Sequence, residues 1–186
     1  KIIVEYTWTG YETAGIYLVR DISQRSTNVS ITDYLKGACI LPNYAVVADP
    51  TGMMVSYEGG YAARALIKKA GAGEVALAKN VLDEYVKVQR SDGSWCQQFR
   101  PERNDAGAHT EYEDLQVDAG AALLAHAMAD YDASIGVGSI IYKTQVQLAF
   151  NFLRAAQLAH YNAHGTGLLA NQRKSGVWNT GALAAD

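Results

Sequence analysis

A tyrosine–glutamate pair recurs three times in this chain, at Tyr11-Glu12, Tyr57-Glu58 and Tyr112-Glu113, each time at the head of a stretch with helical periodicity. The intervals are about 50 residues, the length of a helical hairpin plus a loop, and repetition on that scale marks an array of similar supersecondary units. The breaks between helices alternate in kind. Gly71-Ala72-Gly73 and Gly136-Val137-Gly138 are tight, whereas 43–56, 90–110 and 160–179 read as long loops. Short turns at one end and long loops at the other place all the long loops on a single face.

The helices follow from apolar spacing. Ile16, Val19 and Ile22 predict a helix from Glu12 to about Ser23. Ser30 opens the next, in which Ile31, Tyr34, Leu35, Ala38 and Cys39 form an amphipathic stripe before Pro42 stops it. Further helices are expected over 59–70, 74–89, 111–131 and 139–159, with Ser139 as an N-cap and another start near Thr180. Helices that follow a long loop carry small residues (Ala62-Ala63, Ala119-Gly120-Ala121-Ala122), which let neighbours approach closely. The expectation is an all-α fold of helical hairpins. Residues 1–10, with Ile2-Ile3-Val4, read as a linker or short strand, and 11–186 as one helical-hairpin domain, incomplete at its C-terminus.

At 186 residues, with 49% apolar and 19% charged side chains, the chain has the length of one domain and enough apolar mass for a core. A net charge of −3 leaves no basic footprint for nucleic acid. No apolar run has the length of a membrane span. Cys39 and Cys96 allow one disulfide, but Cys39 sits on an apolar helical stripe, where a buried free thiol is the better reading. Twelve tyrosines against three phenylalanines favour surfaces that meet sugar, water or a partner. With the sequon Asn28-Val29-Ser30, this leans towards a secreted, extracellular protein.

Gln89-Arg90-Ser91-Asp92-Gly93-Ser94-Trp95 resembles the Gln-x-x-Asp-Gly-Ser-Trp signature of α/α toroids, found in terpenoid cyclases and, in related form, in six-hairpin glycosidases and polysaccharide lyases. Its physics is legible: the glutamine can bond free helix-terminal carbonyls, Asp-Gly makes the turn, and the tryptophan fills a gap. Gln157 with Gly176-Val177-Trp178 looks like a looser second copy. Trp95 is accordingly read as structural ahead of sugar-stacking. The resemblance implies about half of an α/α toroid, the remainder supplied by more of the same chain or by another subunit. It also implies a carbohydrate-active enzyme acting on a polysaccharide, by paired-carboxylate hydrolysis or by lyase-type elimination. The alternatives are a non-catalytic helical-repeat module that binds a glycan or protein partner, and an isoprenoid-handling toroid. The cyclase reading lacks an Asp-rich initiation motif.

Glycoside hydrolysis needs two carboxyl groups, one of them protonated. The loop face offers Glu58, Glu113, Asp114 and Asp118. Asp114 and Asp118 are four apart, and on one helix they would share a face. Asp118 runs into an apolar stretch, where its pKa is expected to rise towards that of a general acid. Against this, acids at helix starts are favoured by the macrodipole with no function attached. Tyr57, Tyr112 and Trp178 are candidate stacking surfaces. His109 and Arg103 offer the base and carboxylate-neutralising cation of a lyase. No metal-ligand or cofactor motif appears, and none is assigned.

Overall fold

The computed structural model describes residues 31–47, 52–136, 140–165, 169–170 and 172–180. The first tyrosine–glutamate pair, the helix expected over 12–23, the strand or linker at 1–10, Asn28, Ser139 as a cap and the helix expected beyond Thr180 lie outside them. Within them, α1 (Ile31–Tyr34) passes into a π-helical turn, Leu35–Cys39. Strand β1 (Met54–Val55) leads directly into α2 (Ser56–Lys69), which turns back as α3 (Ala72–Lys87). Strands β2 (Gln98–Arg103), β3 (His109–Glu111) and β4 (Leu115–Val117) follow, and β4 runs straight into α4 (Asp118–Ile135). Helix α5 (Lys143–His164) and the hairpin β5 (Gln172–Lys174) and β6 (Val177–Asn179) complete the order.

Among the described residues helix accounts for 56% and strand for 18%, with two three-stranded antiparallel sheets, β1-β2-β3 and β4-β5-β6. The fold is therefore mixed α and β. This corrects the all-α expectation and the half toroid of bare hairpins built on it. The segments read as loops are the sheets: 90–110 holds β2, and 160–179 holds β5 and β6. The helix expected to begin at Glu111 begins at Asp118, because His109–Glu111 and Leu115–Val117 pair with other strands first.

Local chemistry explains the hairpins. Asn104 Oδ1 accepts the amides of Ala106 and Ala108, closing the β2–β3 turn. Ser175 and Gly176 both take positive φ, as a two-residue hairpin turn between Lys174 and Val177 requires. Neither α2 nor α4 has a side-chain N-cap. Instead the Ser56 amide donates to the Gln97 carbonyl at 3.0 Å, so the neighbouring strand segment serves the start of α2.

Helix α2 lies between α3 and α4, and its glycines permit it. A Cβ on Gly60 would come within 2.8 Å of the Leu123 main chain, and one on Gly120 would overlap the Ser56 hydroxyl. Ser56 thus faces Gly120 and Gly60 faces Leu123, so α2 and α4 run parallel and begin at the same end. The core between the helices and the first sheet holds Met54, Leu66, Leu82, Tyr85, Trp95, Phe99, Leu124 and Met128, all essentially inaccessible. Burying a side chain of this size contributes about 1.5–3 kcal/mol each before entropy is charged.

Candidate functional site

Strands β1 and β4 each feed a helix without an intervening loop, and this sets the first residues of α2 and α4 side by side. Tyr57 and Glu58 lie half-buried in the first turn of α2. Asp118 is the first residue of α4, also half-buried, and its Oδ1 accepts the amide of Ala119 at 2.7 Å. Burial raises the Asp118 pKa above the ordinary carboxylate value, and the Ala119 amide only partly offsets this. Beneath Glu58, the Tyr85 hydroxyl donates to the Val55 carbonyl at 3.0 Å. Burial first, and the Glu58 charge second, drive that phenol's pKa upward.

Glu113 and Asp114 lie elsewhere. They sit in the connection between β3 and β4, not on a helix, so Asp114 and Asp118 do not share a helical face. Asp114 accepts Gln116 Nε2 at 2.7 Å and meets Arg90 Nη2 at 2.7 Å. Arg90 also grips Glu111 with two nitrogens, at 2.8 and 2.5 Å. The bond from Gln116 and then the Arg90 charge hold Asp114 below its usual range, and Arg90 does the same for Glu111. Cys96 Sγ, Glu111 and Asp114 place donor atoms within 4.8 Å of one another. Glu111 and Asp114 hold the guanidinium of Arg90, and Cys96 Sγ accepts from Gln116 Nε2 at 3.7 Å, so the two acids form an arginine clamp. Burial pushes the Cys96 thiol up to about 11. Cys96 and Cys39 are both buried and free. Glu113 reaches Lys174 Nζ at 3.7 Å.

Arg173 on β5 is the second hub. Its Nε donates to Gln116 Oε1 at 3.0 Å, and its Nη2 contacts Asp92 and Ser94 of the Asp-Gly-Ser-Trp turn. The guanidinium lies 5.1 Å from the Phe152 ring centre and 5.3 Å from that of Trp178. The Trp178 face is thus occupied by Arg173. Working against burial, the Ser94 hydroxyl and Arg173 keep Asp92 below its usual pKa.

His109 and Arg103 meet on Glu84 of α3. Arg103 Nη2 donates to Glu84 Oε1 at 2.7 Å, and His109 Nε2 is 3.5 Å from Glu84 Oε2, with both the histidine and the glutamate side chains buried. His109 is thereby closed off from a substrate, and the partly exposed Arg103 is committed to Glu84. Tyr112 is exposed, with Arg100 stacked 5.4 Å from its ring centre.

The structure therefore splits the sequence candidates into three groups. Glu58, Tyr57 and Asp118 share the start of the parallel helices. Glu113, Asp114 and Trp178 belong to an ion-pair network between the sheets, and His109 and Arg103 to the cluster on Glu84, while Tyr112 stands apart from all three, exposed beside Arg100. Residues that the sequence did not single out are Arg90, Arg173, Gln116 and Glu84. Only Arg90 carried a signal, since it stands inside the glutamine-to-tryptophan motif. Chemically, the first group offers two carboxyl groups at the starts of adjacent helices, and burial raises the pKa of one of them, Asp118. A shallow open depression of about 280 Å³ lies on α5, among Arg154, Gln157, Leu158 and Tyr161, none of them a candidate site residue. Among the described residues no helix is long and apolar enough to cross a membrane. Compared with known protein families and with curated proteins, the chain matches none.

Proposed function

We propose that the end of the molecule where α2 and α4 begin is a carbohydrate-cleaving site, and that it hydrolyses a polysaccharide with Asp118 as the acid and Glu58 as its ionised partner. One observation carries this reading: two parallel helices start side by side, each with a carboxyl group in its first turn, and burial keeps one of them protonated to higher pH than usual. A pair of carboxyl groups with separated pKa values is what acid–base hydrolysis of a glycosidic bond uses. Tyr57, next to Glu58, supplies aromatic surface suited to sugar rings. Hydrolysis is preferred to elimination because the candidate lyase base, His109, is buried against Glu84.

Product analysis on a panel of neutral and acidic polysaccharides tests the reading. New reducing ends without an ultraviolet-absorbing unsaturated product support hydrolysis, and unsaturated ends overturn it in favour of elimination. No cleavage of any member favours the second reading, a non-catalytic module for a glycan or protein partner. That reading has its own support in Phe150, Leu158 and Tyr161, which lie on one face of α5 and are each more than half exposed.

A further inference from the structure

The β2–β3 hairpin is fastened to α3 by a cluster that leaves polar atoms without hydrogen bonds. Arg103 and His109 are cross-strand partners, and both reach Glu84. Glu84 Oε1 accepts from Arg103 Nη2 at 2.7 Å and from Lys87 Nζ at 2.9 Å. Its Oε2 and both ring nitrogens of His109 are buried with no hydrogen-bond partner, although Oε2 and Nε2 stand only 3.5 Å apart. The His109 side chain is wholly inaccessible. Buried groups of this kind are normally satisfied, so the arrangement stores a cost that a change of charge can act on.

The charged groups around the ring decide the direction. From α3 come Glu84 and Lys87, and from β2 comes Arg103. Glu84 already meets two cations, the partly exposed Arg103 and Lys87, so a proton on His109 would add a further positive charge at a wholly buried ring with no second carboxylate on Glu84's side to match it. We propose that His109 and Glu84 form an acid-operated latch: with the ring neutral the hairpin stays docked on α3, and protonation releases it into water. Burial, reinforced by Arg103, lowers the His109 pKa and outweighs the opposing pull of Glu84 and of the nearby Arg100 and Pro101 main chain, which stands outside hydrogen-bond geometry with the ring. The effect would spread two ways. Arg103 also donates to the Asn43 carbonyl at 2.8 Å, and β2 pairs with β1, the strand that leads into α2.

Amide hydrogen exchange on the full chain, corrected for the intrinsic rate, tests it between about pH 7 and about pH 5, where histidines titrate. Residues 98–111 are expected to lose protection by up to about tenfold per pH unit, the limit for one proton bound only by the open form. Residues of α4 are expected to keep theirs. The His109→Phe variant, neutral at every pH, should lose this dependence. Flat protection across the hairpin, protection that rises in acid, or an equal loss in α4 would overturn the latch. Should His109→Phe fail to fold, the wild-type profile still decides, and so does the His109 Cε1–H titration by NMR. That midpoint must lie below the ordinary histidine value of about 6.5.

Discussion

Gln89, just past the end of α3, donates its Nε2 to the Gln145 carbonyl of α5 at 3.0 Å and to the Gly93 carbonyl at 3.2 Å. One side chain thereby closes the turn that follows its own helix and ties it to a helix of the next hairpin. The turn presses hard against that helix: a Cβ on Gly93, which sits at φ 88°, would overlap the Leu148 carbonyl. Trp95 fills the gap below and donates to the Tyr85 carbonyl at 2.7 Å. The motif is a clasp between hairpins.

Gln89→Ala leaves two carbonyls without that donor and should lower unfolding free energy by about 1–3 kcal/mol. Gly93→Ala should cost more, because a left-handed conformation and a main-chain collision coincide. Chemical denaturation of both variants checks the order. A Gly93→Ala protein as stable as Gln89→Ala would show that the turn can back away from α5.

The clasp also shows what could be read in advance. Residues 89–95 pointed to a helix-terminal glutamine, a tight turn and a packed tryptophan, and all three are present. The helices α2 to α5 were legible because their apolar residues recur at helical spacing over many turns. The sheets were not. Strand β2 reads Gln-Phe-Arg-Pro-Glu-Arg, with one apolar side chain turned inward and a proline at an irregular register, so no alternation survives to mark it. Strands β5 and β6 are three residues each, and they form because Arg173 and Trp178 meet partners distant in sequence. The same holds at the site. Asp118 could be singled out from its apolar followers, whereas the pairing of Asp114 with Arg90 depends on a tertiary contact that local spacing does not encode.

Asp132, near the end of α4, accepts the amides of Ile141 and Tyr142 at 3.0 Å each, one on each carboxylate oxygen. It therefore holds the entry to α5, which has no side-chain cap of its own. Asp132→Ala should cost about 2–4 kcal/mol, as expected for two orphaned amides at a largely buried position. Asp132→Asn keeps one acceptor and should lose roughly half as much. Thermal unfolding of the pair measures this, and equal losses would show that charge rather than hydrogen bonding matters.

Cys96 is buried and its thiol pKa is raised to about 11, chiefly by burial, while Cys39 is also buried and free. At neutral pH Cys96 is therefore a thiol rather than a thiolate, and the thiol is the unreactive form. In the native protein neither cysteine should react appreciably with iodoacetamide over hours, and in denaturant both should label without prior reduction. Labelling that needs a reductant would establish a disulfide and contradict the packing around Cys96.

Asp118 offers the clearest separation of chemistry from stability. Its folded pKa is raised, so its contribution to stability is fully present below the unfolded value and is lost as pH rises through the folded value. Above the folded value the ionised carboxylate is thus a small liability. Asn at this position keeps an oxygen for the Ala119 amide and removes the charge. Asp118→Asn should leave the neutral-pH melting temperature unchanged or slightly higher, and the gain should vanish in acid. If Asp118 is the general acid, the same substitution should lower turnover on a cleaved polysaccharide by about 10²–10⁴-fold. The wild-type rate should also fall as pH rises through the folded pKa of Asp118, because the proton it donates is then gone. A variant that loses turnover and melting temperature together would instead make Asp118 a support for the start of α4, and would move the search for the acid to Glu58.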